Sequence, residues 1–179
     1  MEHRQIHHRS LHLWTGLLAL VITGLDQITK ALVQRTLGPT QAHQQVALIS
    51  DWLALAYVEN RGAAFGVLAG QGIIVTALGL AALSALLAYY RQAARGSPWL
   101  AWSVGLIVGG ALGNLIDRLR LGFVVDFVAV GPWPKFNLAD SAITIGVGLL
   151  ALHLLVDTPR PPARVGGSPP ATPESPPDV

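Results

Sequence analysis

The chain has 179 residues, of which 51% are hydrophobic and only 12% charged, with 12 Lys and Arg against 10 Asp and Glu. A mean hydropathy of +0.48 excludes an ordinary soluble domain. The absence of cysteine excludes disulfides, thiolate metal sites and a cysteine nucleophile.

Charges are absent from Gly62 to Tyr90, from Gly96 to Ile116 and from Ser141 to Val156, and between Ser10 and Val33 only Asp26 and Lys30 interrupt the apolar text. A helix needs about 20 apolar residues to cross roughly 30 Å of hydrocarbon. Four spans are therefore predicted, at about 11–33, 68–90, 98–116 and 138–156, the last and shortest with its polar first turn at the interface. The expected fold is all-α: four transmembrane helices carrying a small surface β element between the first two.

Taken in chain order, the first span follows Arg4 and Arg9, as the apolar part of a secretory signal would. No small-residue cleavage site follows, and the periodicity continues through "GLDQITKALVQR", which predicts an uncleaved anchor helix from about Leu11 to Arg35. Asp26 and Lys30 stand four apart in it, a favourable ion-pair order, and read alone they are a helix-end pair at the interface. Four of the six histidines lie in "HRQIHHRSLH" before this span, where a solvated basic flank accounts for them better than a metal site. Between the first two spans, "VALISDWLALAYVENRGAAFGVL" mixes β-branched and aromatic residues around a turn signal at Ser50 and Asp51. That composition predicts a strand element at the membrane surface, able to hold an extended peptide.

In the third span Gly105, Gly109 and Gly113 recur every four residues, the small-xxx-small pattern of close helix packing. Its end carries Asn114 and Asp117, and "FNLADS" repeats the Asn-x-x-Asp spacing at Asn137 and Asp140. Asn137 is a natural N-cap, with Asp140 at the third helical position. Capping does not exhaust the meaning of Asp140, because acids at membrane depth are costly and face a cavity or a partner rather than lipid. Asp126 and Asp140 flank a loop holding Pro132, Trp133 and Pro134. Beyond Thr158 the text holds eight of the twelve prolines and little that could pack, so 158–179 is expected to be a disordered tail following a membrane domain at 1–157.

Orientation by basic residues is a tie: with both termini on one side, Arg4, Arg9, Arg91, Arg95, Arg160 and Arg164 oppose Lys30, Arg35, Arg61, Arg118, Arg120 and Lys135. The acids do discriminate, since Asp26, Asp51, Glu59, Asp117, Asp126 and Asp140 all fall on the second side, which is expected to carry the chemistry. Three readings of these acids compete: a hydrolytic site, a proton or cation pathway, and a structural scaffold of caps and interfacial pairs. Clustering toward one face weighs against the pathway. A serine protease is disfavoured by the absence of a G-x-S-x-G elbow.

The ordered set "DQITK", "ENRGAAFG", "GGALGNLIDRL", "GFVVDF" and "FNLADSA", interleaved with four spans over roughly residues 11 to 156, resembles the lipoprotein signal peptidase (signal peptidase II) family. The resemblance implies an aspartic endopeptidase of the bacterial cytoplasmic membrane, with both termini cytoplasmic, the active site on the periplasmic side, and no metal or other cofactor. It makes Asp126 and Asp140 the catalytic dyad, with Asp117 outside it. Asp26, Lys30, Asn60, Gly62, Asn114, Arg118 and Asn137 become supporting residues that position substrate or hold the site. The substrate it implies is a prolipoprotein whose cysteine already carries a diacylglyceryl group, cut just before that cysteine while its acyl chains stay among the membrane lipids. It implies no nucleic-acid partner, and nothing calls for more than a monomer. Elementary chemistry is compatible: two nearby carboxylates cannot both ionise cheaply, so they share a proton, one serving as base to a water and the other as acid to the scissile carbonyl. Helix capping favours a charged Asp140 and burial favours the neutral form of either, which leaves the roles open at this level.

Overall fold

The structure, a computed structural model, describes residues 2–41, 45–50, 52–62, 72–93 and 97–156. The proline-rich tail and the 63–66 part of "ENRGAAFG" lie outside the described residues.

Four helices are long and apolar enough to cross a membrane: α1 (Glu2–Leu37), α2 (Gly72–Ala93), α3 (Pro98–Leu121) and α4 (Leu138–Val156). At about 1.5 Å per residue the 36 residues of α1 exceed the bilayer core, so the basic N-terminal turns extend beyond the 27-residue candidate span Leu11–Leu37. α3 begins at a Ser97 N-cap with Pro98 in its first turn and ends at Gly122, whose φ of 80° is the left-handed conformation that glycine adopts without strain.

The glycine stripe of α3 brings the bundle together. A Cβ on Gly105 would meet Leu18 and the Thr15 carbonyl, and one on Gly109 would meet the Ala19 carbonyl and Ile22 at 2.8 Å. Gly113 lies directly against the Asp26 carboxylate. Gly110 and Gly146 perform the same service between α3 and α4, against Ala139 and Ile107 respectively. Absent side chains thus let α1 and α4 approach neighbouring faces of α3, where dispersion rather than the hydrophobic effect holds helices together in lipid. α2 is peripheral: Tyr90 is its one buried residue among those described, packed with Leu100 and Val104 and hydrogen-bonded to Thr15 at 2.9 Å. Lipid-facing positions such as Leu20, Ile73, Leu78 and Leu155 are correspondingly exposed.

The predicted surface element is a hairpin of β1 (Gln45–Ile49) and β2 (Leu53–Asn60), closed by Trp52 N–H donating to the Ile49 carbonyl at 3.0 Å with Ser50 at φ 43°. A third strand, β3 (Val124–Val130), joins it antiparallel from between α3 and α4, in the order β1-β2-β3. Phe127 of this strand buries itself with Val33 and Leu37 of α1, supported by Leu55, Tyr57, Val128 and Leu138. The sheet is thereby seated on the end of α1, which places β3, and with it Asp126, beside the start of α4.

Candidate active site

Asp126 sits in the middle of β3, 2% exposed among buried Val124, Val125 and Phe127. Asp140 sits in the first turn of α4, half-buried. Asn137 reaches both. Its side-chain oxygen accepts from the Asp140 N–H at 2.9 Å while Asp140 Oδ2 accepts from the Asn137 N–H at 3.2 Å, the reciprocal capping box the spacing predicts. Because that oxygen is occupied by a backbone donor, the amide must turn its Nδ2 the other way, where it donates to Asp126 Oδ1 at 2.8 Å.

The same logic fixes two further amides. The Gly62 N–H donates to Asn60 Oδ1 at 3.0 Å, so Asn60 presents Nδ2 to Asp126 Oδ2 at 2.9 Å. Lys30 Nζ and Asn137 Nδ2 donate to Asn114 Oδ1 at 2.9 and 3.1 Å, so Asn114 presents Nδ2 to Asp140 Oδ1 at 2.8 Å. Each of the four carboxylate oxygens therefore accepts one amide N–H. The two side chains are fixed in orientation, and each oxygen keeps a lone pair for a water or a substrate.

Lys30 is enclosed by the protein, which the Asp26–Lys30 spacing alone did not suggest. It is 3% exposed and donates to Asp26 Oδ2 at 2.8 Å and Asp117 Oδ2 at 2.9 Å, besides Asn114. The far oxygen of Asp26 accepts the Ala139 N–H at 3.0 Å, next to the start of α4. A donor-only ammonium in this position sets the direction of the amides that follow it. Arg118 is half-buried, makes a long 3.5 Å contact to the Asn114 carbonyl, and lies within Coulombic range of Asp140, Asp126 and Asp117.

Burial is the largest influence on Asp126 and pushes its carboxyl up to about 7, aided by the nearby Asp140 charge and opposed by the Asn60 and Asn137 hydrogen bonds. One buried carboxyl that retains its proton near neutrality, beside a second carboxylate bound to a helix N-terminus, is an arrangement able to accept one proton and donate another. Among the described residues, no group of three or more His, Cys, Asp or Glu side chains is placed to hold a metal ion.

All nine site residues of the sequence reading thus fall within one connected region at one end of the bundle, linked by the contacts above. The sequence reading missed β3 and Gln27. Gln27 donates to Asp117 Oδ1 at 2.9 Å and to the Gly113 carbonyl at 3.1 Å; its only signal was its place beside Asp26 in "DQITK".

Comparison with known proteins gives a consistent result. The family model described as signal peptidase (SPase) II matches residues 18–156, which include every one of these site residues. The chain is 45% identical over 138 residues to the lipoprotein signal peptidase of Halothermothrix orenii, covering 77% of this chain and 92% of that relative. It is 40% identical over 151 residues to the lipoprotein signal peptidase of Pseudomonas aeruginosa, covering 79% and 86%. A bacterial membrane enzyme solved by the in meso method at 2.3 Å resolution is similar with a TM-score of 0.72 and 33% identity, over 81% of this chain and 89% of that one. With four membrane-crossing helices, a matching three-dimensional neighbour and a family match across most of its length, the chain belongs to the signal peptidase II family.

Proposed function

We propose that this membrane peptidase is an aspartic endopeptidase that removes the signal peptide from diacylglyceryl-modified prolipoproteins, cutting just before the lipidated cysteine. The observation that carries the reading is the pair Asp126 and Asp140, joined through Asn137 with every carboxylate oxygen oriented by an amide N–H.

The roles follow from surroundings. Asp140, in the first turn of α4 with Oδ2 held by the Asn137 N–H and Oδ1 by Asn114, is the base. Asp126, buried and pushed up to about 7, holds the shared proton and is the acid. A water between them loses a proton to Asp140 as its oxygen attacks the scissile carbonyl, and Asp126 hydrogen-bonds the carbonyl oxygen and protonates it. The tetrahedral diol collapses when Asp140 returns its proton to the departing cysteine nitrogen and Asp126 recovers one from a diol hydroxyl. No acyl-enzyme forms, and base and acid end as they began.

Four spans return the chain to the side from which it started, so both termini share one side; with membership of the signal peptidase II family, we read that side as cytoplasmic and the sheet with its aspartates as periplasmic in the bacterial cytoplasmic membrane. Trp14, Trp99 and Trp102, all exposed, fit an aromatic belt at the cytoplasmic interface, and Trp52 and Trp133 one at the other. The β1–β2 hairpin is placed to hold the extended cleavage segment while the signal helix and acyl chains remain in lipid. We read the enzyme as a monomer, and 158–179 as a cytoplasmic tail outside the peptidase domain. A proton pathway fits less well, because Asp26, Asp117, Asp126 and Asp140 gather at one end of the bundle instead of spacing through it.

The test is cleavage of a purified diacylglyceryl prolipoprotein by detergent-solubilised protein, with the cut located by mass spectrometry and the unlipidated precursor as comparison. Cleavage just before the lipidated cysteine is expected. A cut elsewhere, or equal cleavage of the unlipidated precursor, overturns the substrate assignment.

A further inference from the structure

Asp117 touches neither carboxylate of the dyad, yet it grips the strand that carries one of them. Val125 pairs with Glu59 across β2 and β3, but its N–H donates to Asp117 Oδ2 at 3.1 Å and its carbonyl accepts from Asn137 Nδ2 at 3.3 Å. Both backbone groups of Val125 therefore point away from β2 and into the bundle. β3 is the edge strand of the sheet on that side, and an edge leaves backbone groups in need of partners. Further along the same edge Phe136 supplies them: its carbonyl accepts the Phe127 and Val128 N–H groups at 3.0 and 2.8 Å. Asp126 is thus suspended between two anchors, Asp117 before it and Phe136 after it.

Asp117 is itself held from α1. Lys30 Nζ donates to its Oδ2 at 2.9 Å and Gln27 Nε2 to its Oδ1 at 2.9 Å, while Gln27 is tied to the Gly113 carbonyl at 3.1 Å. Three donors converge on one 3%-exposed side chain, which only an acceptor-only carboxylate satisfies at both oxygens. From these contacts we propose that Asp117 is a positioning residue for Asp126, acting through the Val125 N–H, with Gln27 as the strut that fixes it. The proposal rests on the dyad reading above. A displacement of a reacting group by about 1 Å costs on the order of 100-fold in rate, which sets the scale of the expected effect.

In Asp117→Asn the amide oxygen can still face Lys30 and Val125, but Nδ2 then meets the Gln27 Nε2 donor. The test measures thermal melting, kcat and KM on a diacylglyceryl prolipoprotein for wild type, Asp126→Asn, Asp117→Asn and Gln27→Met. Expected are a kcat lowered about 10- to 100-fold in Asp117→Asn with KM nearly unchanged, and a smaller loss in neutral, half-buried Gln27→Met. A purely structural role moves melting without this split between kcat and KM. Wild-type kcat in Asp117→Asn, or in Gln27→Met should Asp117→Asn not fold, overturns the inference alone. Wild-type cleavage by Asp126→Asn overturns the dyad and the inference with it.

Discussion

Replacing Lys30 with methionine removes the one cation from between two carboxylates. Asp26 and Asp117 are 0% and 3% exposed and each takes a bond of 2.8 to 2.9 Å from the ammonium. Without it Asp26 keeps the Ala139 N–H and Asp117 keeps Val125 N–H and Gln27, all neutral donors. Breaking a buried ion pair from one side costs about 3–5 kcal/mol, because the charge left behind has neither water nor a counter-ion. Two carboxylates are stranded here, so the loss should reach at least the lower figure, roughly a hundredfold in the folding equilibrium. Unfolding by SDS titration in mixed micelles, followed by tryptophan fluorescence, measures it. The triple variant Lys30→Met/Asp26→Asn/Asp117→Asn leaves no stranded charge and should recover more than half of the loss. A Lys30→Met variant within about 1 kcal/mol of wild type would refute the reasoning, since the buried ion pair then contributes no more than a surface one.

Two further outcomes are expected. Asp126 acts in its protonated form, so kcat/KM should fall as pH rises through about 7. The Asn60 N–H stabilises the ionised form, so Asn60→Ala should move that basic limb to higher pH; a pH–rate profile with the limb unmoved or lowered contradicts the acid role of Asp126. Gly109→Ala drives a methyl into the Ala19 carbonyl and Ile22 of α1, and should destabilise by about 1–3 kcal/mol in the same SDS titration. Gly24→Ala, with nothing within 4 Å of the added methyl, should be close to neutral.

The helices were legible because lipid demands long uncharged runs, and the α3 glycines because their four-residue period has one packing meaning. Asn137 and Asp140 were legible as a cap because N-cap and third-position chemistry is local. What is not local escaped. β3 reads in sequence as a short apolar stretch rich in valine between Gly122 and Gly131, which in so hydrophobic a chain does not stand apart from helix text. Its strand character comes from β2, distant in the chain, and from Phe136, folded back across the loop that holds Pro132 and Pro134. The Asp26–Lys30 pair looked interfacial because nothing in "DQITK" reveals that Asp117 and Asn114 close over it from α3. The orientations of Asn60, Asn114 and Asn137, on which the dyad geometry depends, are likewise set by partners that only the folded chain assembles.

The most direct measurement of the central claim is kcat for wild type, Asp126→Asn and Asp140→Asn on a diacylglyceryl prolipoprotein, with cooperative melting verified for each. General acid and base contributions are worth about 10²- to 10⁴-fold, so each substitution, removing half of a shared-proton pair, should lower kcat at least a hundredfold while the protein stays folded. Cleavage by either folded variant at the wild-type rate contradicts water activation by Asp126 and Asp140.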